Sequence, residues 1–279
     1  MRAIITLLII TGLAPSALGQ DGFVAGSPKL AYWKLGGHLE TVIVLHGGPA
    51  VQHEYLRPEF DLLNRFCSVI YYDQRGCGRS QQAASYEWQE HVRDLQRVKR
   101  AFSPKKKVFL AGSSWGSTLA IIYSYMHPED VKGIILTGTY KWEGKNTKYT
   151  RIAFPSTVRS HKQPLRETGI LQRTNVDGSV SEVPITIWKE IEMFTEAPAF
   201  ETRASVISAP TIDSLRNIHV PILLFGGGAH CRIDFSKELM AIFPRAELCT
   251  IEEACHDPWM SAPERFAATC QKFVGKNKH

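Results

Sequence analysis

Basic residues are nowhere concentrated in this sequence. Its 33 Lys and Arg against 27 Asp and Glu give a formal charge of +6, yet the densest basic run is Lys105-Lys106-Lys107. The chain thus lacks the basic face with interleaved aromatics that a nucleic acid requires, and the triplet reads as a solvated loop before an apolar stretch. There is no internal repeat and no low-complexity tract. The apolar stretch from Ala3 to Ala14, about twelve residues, falls short of the roughly twenty needed to cross a bilayer. No cysteine stands at the small-residue site Ala17-Leu18-Gly19, which disfavours a lipid anchor. With Arg2 ahead of the apolar stretch, residues 1–19 read as a signal peptide cut after Gly19, and the expected location is secreted or periplasmic. What is present is ordinary for a folded soluble protein: 279 residues, 44% hydrophobic, 22% charged and 10% aromatic, enough chain for one large domain or two smaller ones.

Short apolar, β-branched runs recur at Glu40–Leu45, Cys67–Tyr72, Lys107–Ala111, Val131–Thr137, Val220–Phe225 and Glu247–Ile251. Helical patterns lie between them. Trp88, Val92, Leu95, Val98 and Phe102 share one helix face, and Ser117–Met126 is mostly apolar. Strands apolar on both faces that alternate with helices indicate an α/β fold, a mostly parallel sheet covered on both sides. The alternation fails between Tyr140 and Ile218, a proline-punctuated region with one helical pattern near Ile185–Phe194. A structureless stretch of that length is unusual in a compact domain. The expected organisation is a core at 20–140, a small inserted cap at 141–218 and the rest of the core at 219–279.

Gly112-Ser113-Ser114-Trp115-Gly116 has the G-x-S-x-G spacing directly after a strand and before a helix. A turn this sharp strains the serine backbone and presents its hydroxyl above the sheet, while the glycines let neighbouring backbone pass. Register favours Ser114 over Ser113 as nucleophile. The charge that attack leaves on oxygen needs preorganised N–H groups. Trp115 offers one at the positive end of the following helix, and Gly47 or Gly48 in His46-Gly47-Gly48-Pro49 offers the second. His256, after the last strand, has the placement of the general base. The acid should follow the strand at Val220–Phe225. Asp234 is the nearest carboxylate there, either as triad acid or as cap of a helix at Phe235–Ile242. Glu252 and Glu253 are outside candidates, and a Ser-His dyad beside His230 is a further option. This chemistry calls for no cofactor and no metal.

Together with Asp73-Gln74-Arg75-Gly76-Cys77-Gly78-Arg79-Ser80 and His256-Asp257-Pro258-Trp259, these motifs resemble the proline iminopeptidase branch of the α/β-hydrolase superfamily. The resemblance covers Gly22 to Tyr140 and Val220 to the C-terminus, not the insert. It implies a capped serine hydrolase, often one that releases N-terminal proline from short peptides, with Ser114 as nucleophile and His256 as base. The chain departs from the family where His230 stands in place of Asp and Ser113 in place of Gly, and its insert is short.

Asp73 and Arg75 read as braces of their loop rather than as reacting groups. An aminopeptidase must hold a cationic amine. Trp142-Glu143-Gly144 resembles a segment of the family's cap, so Glu143 is the preferred substrate-binding carboxylate ahead of Glu190, Glu192 and Glu196. Cys231–Cys255 and Cys249–Cys270 are candidate disulfides, Cys77 a buried thiol, and Cys231, Cys255, His230 and His256 carry the donor types of a zinc site. The expected partner is a short peptide or small molecule, with no nucleic acid, no membrane beyond the export signal, and no oligomeric state indicated. The alternatives are a carboxylesterase or lactonase, and a non-catalytic protein that binds a ligand in the capped pocket.

Overall fold

The computed structural model describes residues 20–49, 51–139, 161–174, 180–193, 197–229, 231 and 235–278. The core is an eight-stranded sheet in the order β1-β2-β4-β3-β5-β6-β9-β10. Its strands are β1 (Gly22–Val24), β2 (Leu30–Leu35), β3 (Thr41–Leu45), β4 (Ser68–Tyr72), β5 (Val108–Ser113), β6 (Val131–Thr137), β9 (Ile222–Gly227) and β10 (Glu247–Ile251). The first two are antiparallel, and every pairing from β4 to β10 is parallel. The helices are α1 (Trp88–Phe102), α2 (Trp115–Met126), α3 (Ala197–Ser205), α4 (Ile212–Leu215), α5 (Ser236–Ile242), α6 (Pro258–Ser261) and α7 (Pro263–Lys276).

Successive strand residues serve opposite faces, and the strands are apolar in both sets, so the sheet carries a core on each side. Ile43, Leu45, Ile70, Leu110, Leu136 and Leu224 pack with α1, α2 and α5. Val42, Val44, Val69, Phe109, Ile135 and Phe225 pack with Phe60, Trp259, Phe266 and Phe273. Each of these side chains contributes about 1.5–3 kcal/mol by leaving water. No helix of the described residues is long and apolar enough to cross a membrane.

Between β6 and β9 lies a separate two-stranded antiparallel sheet, β7 (His161–Thr174) and β8 (Val180–Met193), whose register runs from His161 opposite Met193 to Thr174 opposite Val180. The helix expected near Ile185–Phe194 is therefore a strand. Val183, Ile185, Ile187 and Ile191 stand at even spacings, the period of a strand and not of a helix. Glu190 and Glu192 accordingly lie opposite Pro164 and Lys162 in a ladder. After this hairpin the chain returns through α3, which is fastened to the start of α1. Glu201 Oε1 accepts from Ser85 Oγ at 2.9 Å and the Tyr86 amide at 2.8 Å, Thr202 Oγ1 donates to Tyr86 O at 2.7 Å, and Trp88 donates through its amide to Ser205 Oγ at 2.9 Å.

Cys231 and Cys255 form a disulfide with a Cα separation of 4.9 Å, a normal span for such a bond. Cys249 and Cys270 do not pair: Cys270 is buried in the inner face of α7, while Cys249 Sγ sits 3.8 Å from Thr269 Oγ1. Cys67 and Cys77 are buried thiols.

Candidate active site

Ser114 sits between β5 and α2 with φ 58° and ψ −120°, the one non-glycine residue of positive φ among those described. Holding a side chain there costs about 1–3 kcal/mol, which the surroundings must supply. They do so with hydrogen bonds. The Ser114 amide donates to Thr137 O at 3.0 Å, and its carbonyl accepts from Ser117 N at 2.9 Å. Ser117 Oγ lies 2.8 Å from both Gly112 O and Thr137 O. The two motif glycines explain themselves by contact: a Cβ on Gly112 would collide with the Gly116 carbonyl, and one on Gly116 with Leu45 O at the end of β3. The turn is thus pressed against the His46-Gly47-Gly48 loop.

That loop is held by four neighbouring residues. A Cβ on Gly47 would lie 2.9 Å from Ser114 Cβ, so the two residues are in contact. The Gly47 amide donates to Tyr55 Oη at 2.8 Å. Gln74 joins the loop to the nucleophile turn: its amide donates to His46 Nε2 at 2.9 Å, its Nε2 to His46 O at 2.8 Å, and its Oε1 accepts from Trp115 Nε1 at 2.8 Å. Arg203 of α3 donates to Gly48 O at 3.1 Å, which brings the returning end of the insert against the same loop. Tyr55, Gln74 and Arg203 carried no sequence signal of this role, apart from Gln74's position inside the Asp73–Ser80 motif.

His256 reaches the site through the residue after Thr137. A Cβ on Gly138 would lie 3.1 Å from His256 Nε2 and 3.0 Å from its Cε1, so the imidazole edge lies against Gly138, next to the carbonyl that holds Ser114. The loop carrying His256 is tied to the loop after β9 by the Cys231–Cys255 bond and by Gly228 N–H donating to Ala254 O at 3.0 Å. With both sulfurs in that bond, neither is a thiolate for zinc, and the metal-site reading of these cysteines gives way. The structure thus gathers Ser114, Gly47, Gly48, Trp115 and His256 at the carboxyl ends of β3, β5 and β6. Asp234, His230 and Glu143 lie outside the described residues. Glu252 and Glu253 are exposed on the turn after β10.

Asp73 and Arg75 hold the neighbouring loops. Asp73 Oδ1 accepts from His53 Nδ1 at 2.9 Å and the His53 amide at 3.1 Å, and Oδ2 accepts from Arg79 N at 2.8 Å. Burial works against its charge, but the His53 hydrogen bond prevails and holds the carboxyl below its usual range. Arg75 Nε donates to buried Asp94 at 2.8 Å.

Burial pushes His46 down to about 4 and His91 down to about 3. His46 stays neutral for a visible reason: with Nε2 accepting from Gln74, its proton is on Nδ1, which donates to Gly47 O at 2.9 Å. Both rings bind a proton more weakly folded than unfolded, where the value is 6.5. Their stabilisation is therefore complete above about pH 6.5 and lost as pH falls toward 4, with His46 alone worth about 3 kcal/mol. Urea midpoints measured from pH 7 to pH 4 are expected to fall steeply, and His46→Gln is expected to flatten the dependence.

A family model described as the alpha/beta hydrolase fold matches residues 40–160. The chain is 34% identical over 124 residues to a proline iminopeptidase of Thermoplasma volcanium, covering 43% of this chain and 42% of that protein. The chain matches 30–42% of the length of its curated relatives. Among solved structures, a thermophilic esterase from Thermogutta terrifontis is similar with a TM-score of 0.65 at 18% identity, over 90% of this chain and 95% of that one. The enol-lactonase from Burkholderia xenovorans LB400 is similar with a TM-score of 0.66 at 14% identity, over 91% and 99%. An eight-stranded, mostly parallel sheet with a strained serine at the strand-to-helix turn, seen beside these likenesses, identifies the chain as an α/β-hydrolase-fold protein whose sequence resembles proline iminopeptidases.

Proposed function

We propose that this protein is an exported serine hydrolase that cleaves a small amide, the N-terminal residue of a short peptide, through an acyl-enzyme. The observation that carries the reading is Ser114 at φ 58°, in contact with Gly47 on one side and hydrogen-bonded on the other to Thr137, whose neighbour Gly138 meets His256. Ser114 Oγ attacks the substrate carbonyl carbon while His256 takes its proton. The resulting oxyanion faces the amides of Trp115 and Gly48, with Gly47 the less suited donor because its N–H is held by Tyr55. Collapse expels the amine, which receives the proton from His256, and water repeats the sequence to free the acid. Asp234 is proposed to orient the imidazole and Glu143 to hold the substrate's ammonium. The stretch through Gly19 and the Cys231–Cys255 bond support export to an oxidising compartment.

A second reading, a carboxylesterase or lactonase, is supported by the esterase and the enol-lactonase that share the fold. A substrate panel separates the two. The aminopeptidase reading expects kcat/KM for proline naphthylamide to exceed that for p-nitrophenyl acetate, and the reverse order would favour the esterase. No turnover of either, or of any other amide or ester, would leave the non-catalytic reading.

A further inference from the structure

A cleft of about 470 Å³ lies at the opposite end of the sheet from Ser114, where β3 and β4 begin and the chain approaches β5. Lys34, Lys105 and Lys106 line it together with His38, Leu39 and Phe102, and no carboxylate is among its lining residues. Glu40, the acid nearest in sequence to Lys34, pairs with Lys132 at 2.7 Å, and Asp21 is held by the Lys34 backbone amide at 2.6 Å with no ion pair to the Lys34 Nζ. Among the described residues none of the three lysines has an ion-pair partner. The third lysine of the triplet differs, since Lys107 Nζ donates to Pro128 O at 3.3 Å and does not line the cleft. The cleft walls are anchored, with Ser68 Oγ donating to His38 O and Ser103 Oγ to Lys106 O, both at 3.0 Å. Beside these cations stands Leu39, 84% exposed, the most exposed large apolar side chain of the described residues.

Uncompensated cations around an exposed apolar residue match an anionic lipid surface: ammonium groups meet phosphate headgroups, and the leucine reaches the acyl boundary. We propose that this cleft docks the protein on an anionic phospholipid surface, with a headgroup phosphate held among Lys34, Lys105 and Lys106. Five-residue strands separate the two ends by roughly 15 Å, so docking there leaves the serine end of the sheet facing solution. The inference does not depend on the hydrolase reading.

The test is cosedimentation of the full chain with vesicles of phosphatidylglycerol and phosphatidylcholine, against vesicles of phosphatidylcholine alone, at 0.1 M salt. Binding is expected only to the anionic vesicles. Removing a lysine near the surface should cost about fivefold, so the triple variant Lys34→Ala, Lys105→Ala, Lys106→Ala should bind about a hundredfold more weakly. Lys107→Ala should bind as the wild type, and thermal melting should show all variants folded. Equal binding to both vesicle types, a triple variant that binds normally, or an equal loss in Lys107→Ala would overturn the proposal. So would pyrophosphate binding at the lysines with no vesicle binding, which would make the site one for soluble phosphate.

Discussion

Ser114→Ala is expected to lower kcat by about four to six orders of magnitude on any substrate the wild type turns over, with KM little changed. The substitution removes the attacking oxygen and leaves the amides of Trp115 and Gly48 in place. His256→Ala should cost a similar factor, and the double variant no more than either single one, because the two groups act on one proton in one step. Asp234→Asn should fall by about four orders of magnitude if Asp234 orients the imidazole; full activity in that variant would remove it from the triad. A stability readout separates chemistry from folding. Ser114 carries its side chain at φ 58°, so Ser114→Gly should raise the thermal midpoint while abolishing turnover. Steady-state kinetics with melting curves on the same preparations check both halves, and a Ser114→Ala variant retaining a tenth of wild-type kcat would contradict the assignment.

Reducing the Cys231–Cys255 bond should cost stability and activity in different proportions. The bond closes a loop of 24 residues in sequence separation, and its loss should destabilise the fold by about 3 kcal/mol. The activity loss has a more local origin. Cys255 immediately precedes His256, and Cys231 anchors the loop after β9, so the bond fixes the imidazole relative to the sheet end that carries Ser114. A misplaced base costs about a hundredfold. Cys231→Ser with Cys255→Ser, assayed at a temperature where it is still folded, should lose kcat by that order and keep KM. Reduction of the wild type by dithiothreitol should reproduce the loss, and reoxidation should reverse it. A folded reduced protein with unchanged kcat would show that the bond serves stability alone.

Much of this was legible before any coordinates. The face formed by Trp88, Val92, Leu95 and Val98 is α1 because its period is helical, and all six apolar runs became parallel strands, five of them buried on both faces and β10 more exposed. Ser114 could be read because its motif lies on a strand–turn–helix context that the sequence itself displays. Other features were not local. β1 is only three residues long, and β2 pairs antiparallel with a distant segment, Tyr32 opposite Tyr72 of β4. Within an irregular, polar region the sequence suggests a helix near Ile185–Phe194, yet Val180–Met193 is the strand β8, whose β-branched residues alternate. Gln74 and Tyr55 work through contacts with His46, Gly47 and Trp115, up to 41 residues away, and no motif spacing announces them. Of two candidate cysteine pairs only one formed, because loop ends that follow adjacent strands meet, whereas Cys249 Sγ lies against Thr269 Oγ1 and Cys270 stays a buried free thiol.

The most direct measurement is active-site labelling. After incubation with a fluorophosphonate probe, tryptic mass spectrometry should find one phosphonylated serine, Ser114. Labelling should be lost in Ser114→Ala and slowed by orders of magnitude in His256→Ala, because the imidazole activates the hydroxyl. An unmodified wild type, or a label on another serine such as Ser113, would contradict a nucleophile at the β5–α2 turn.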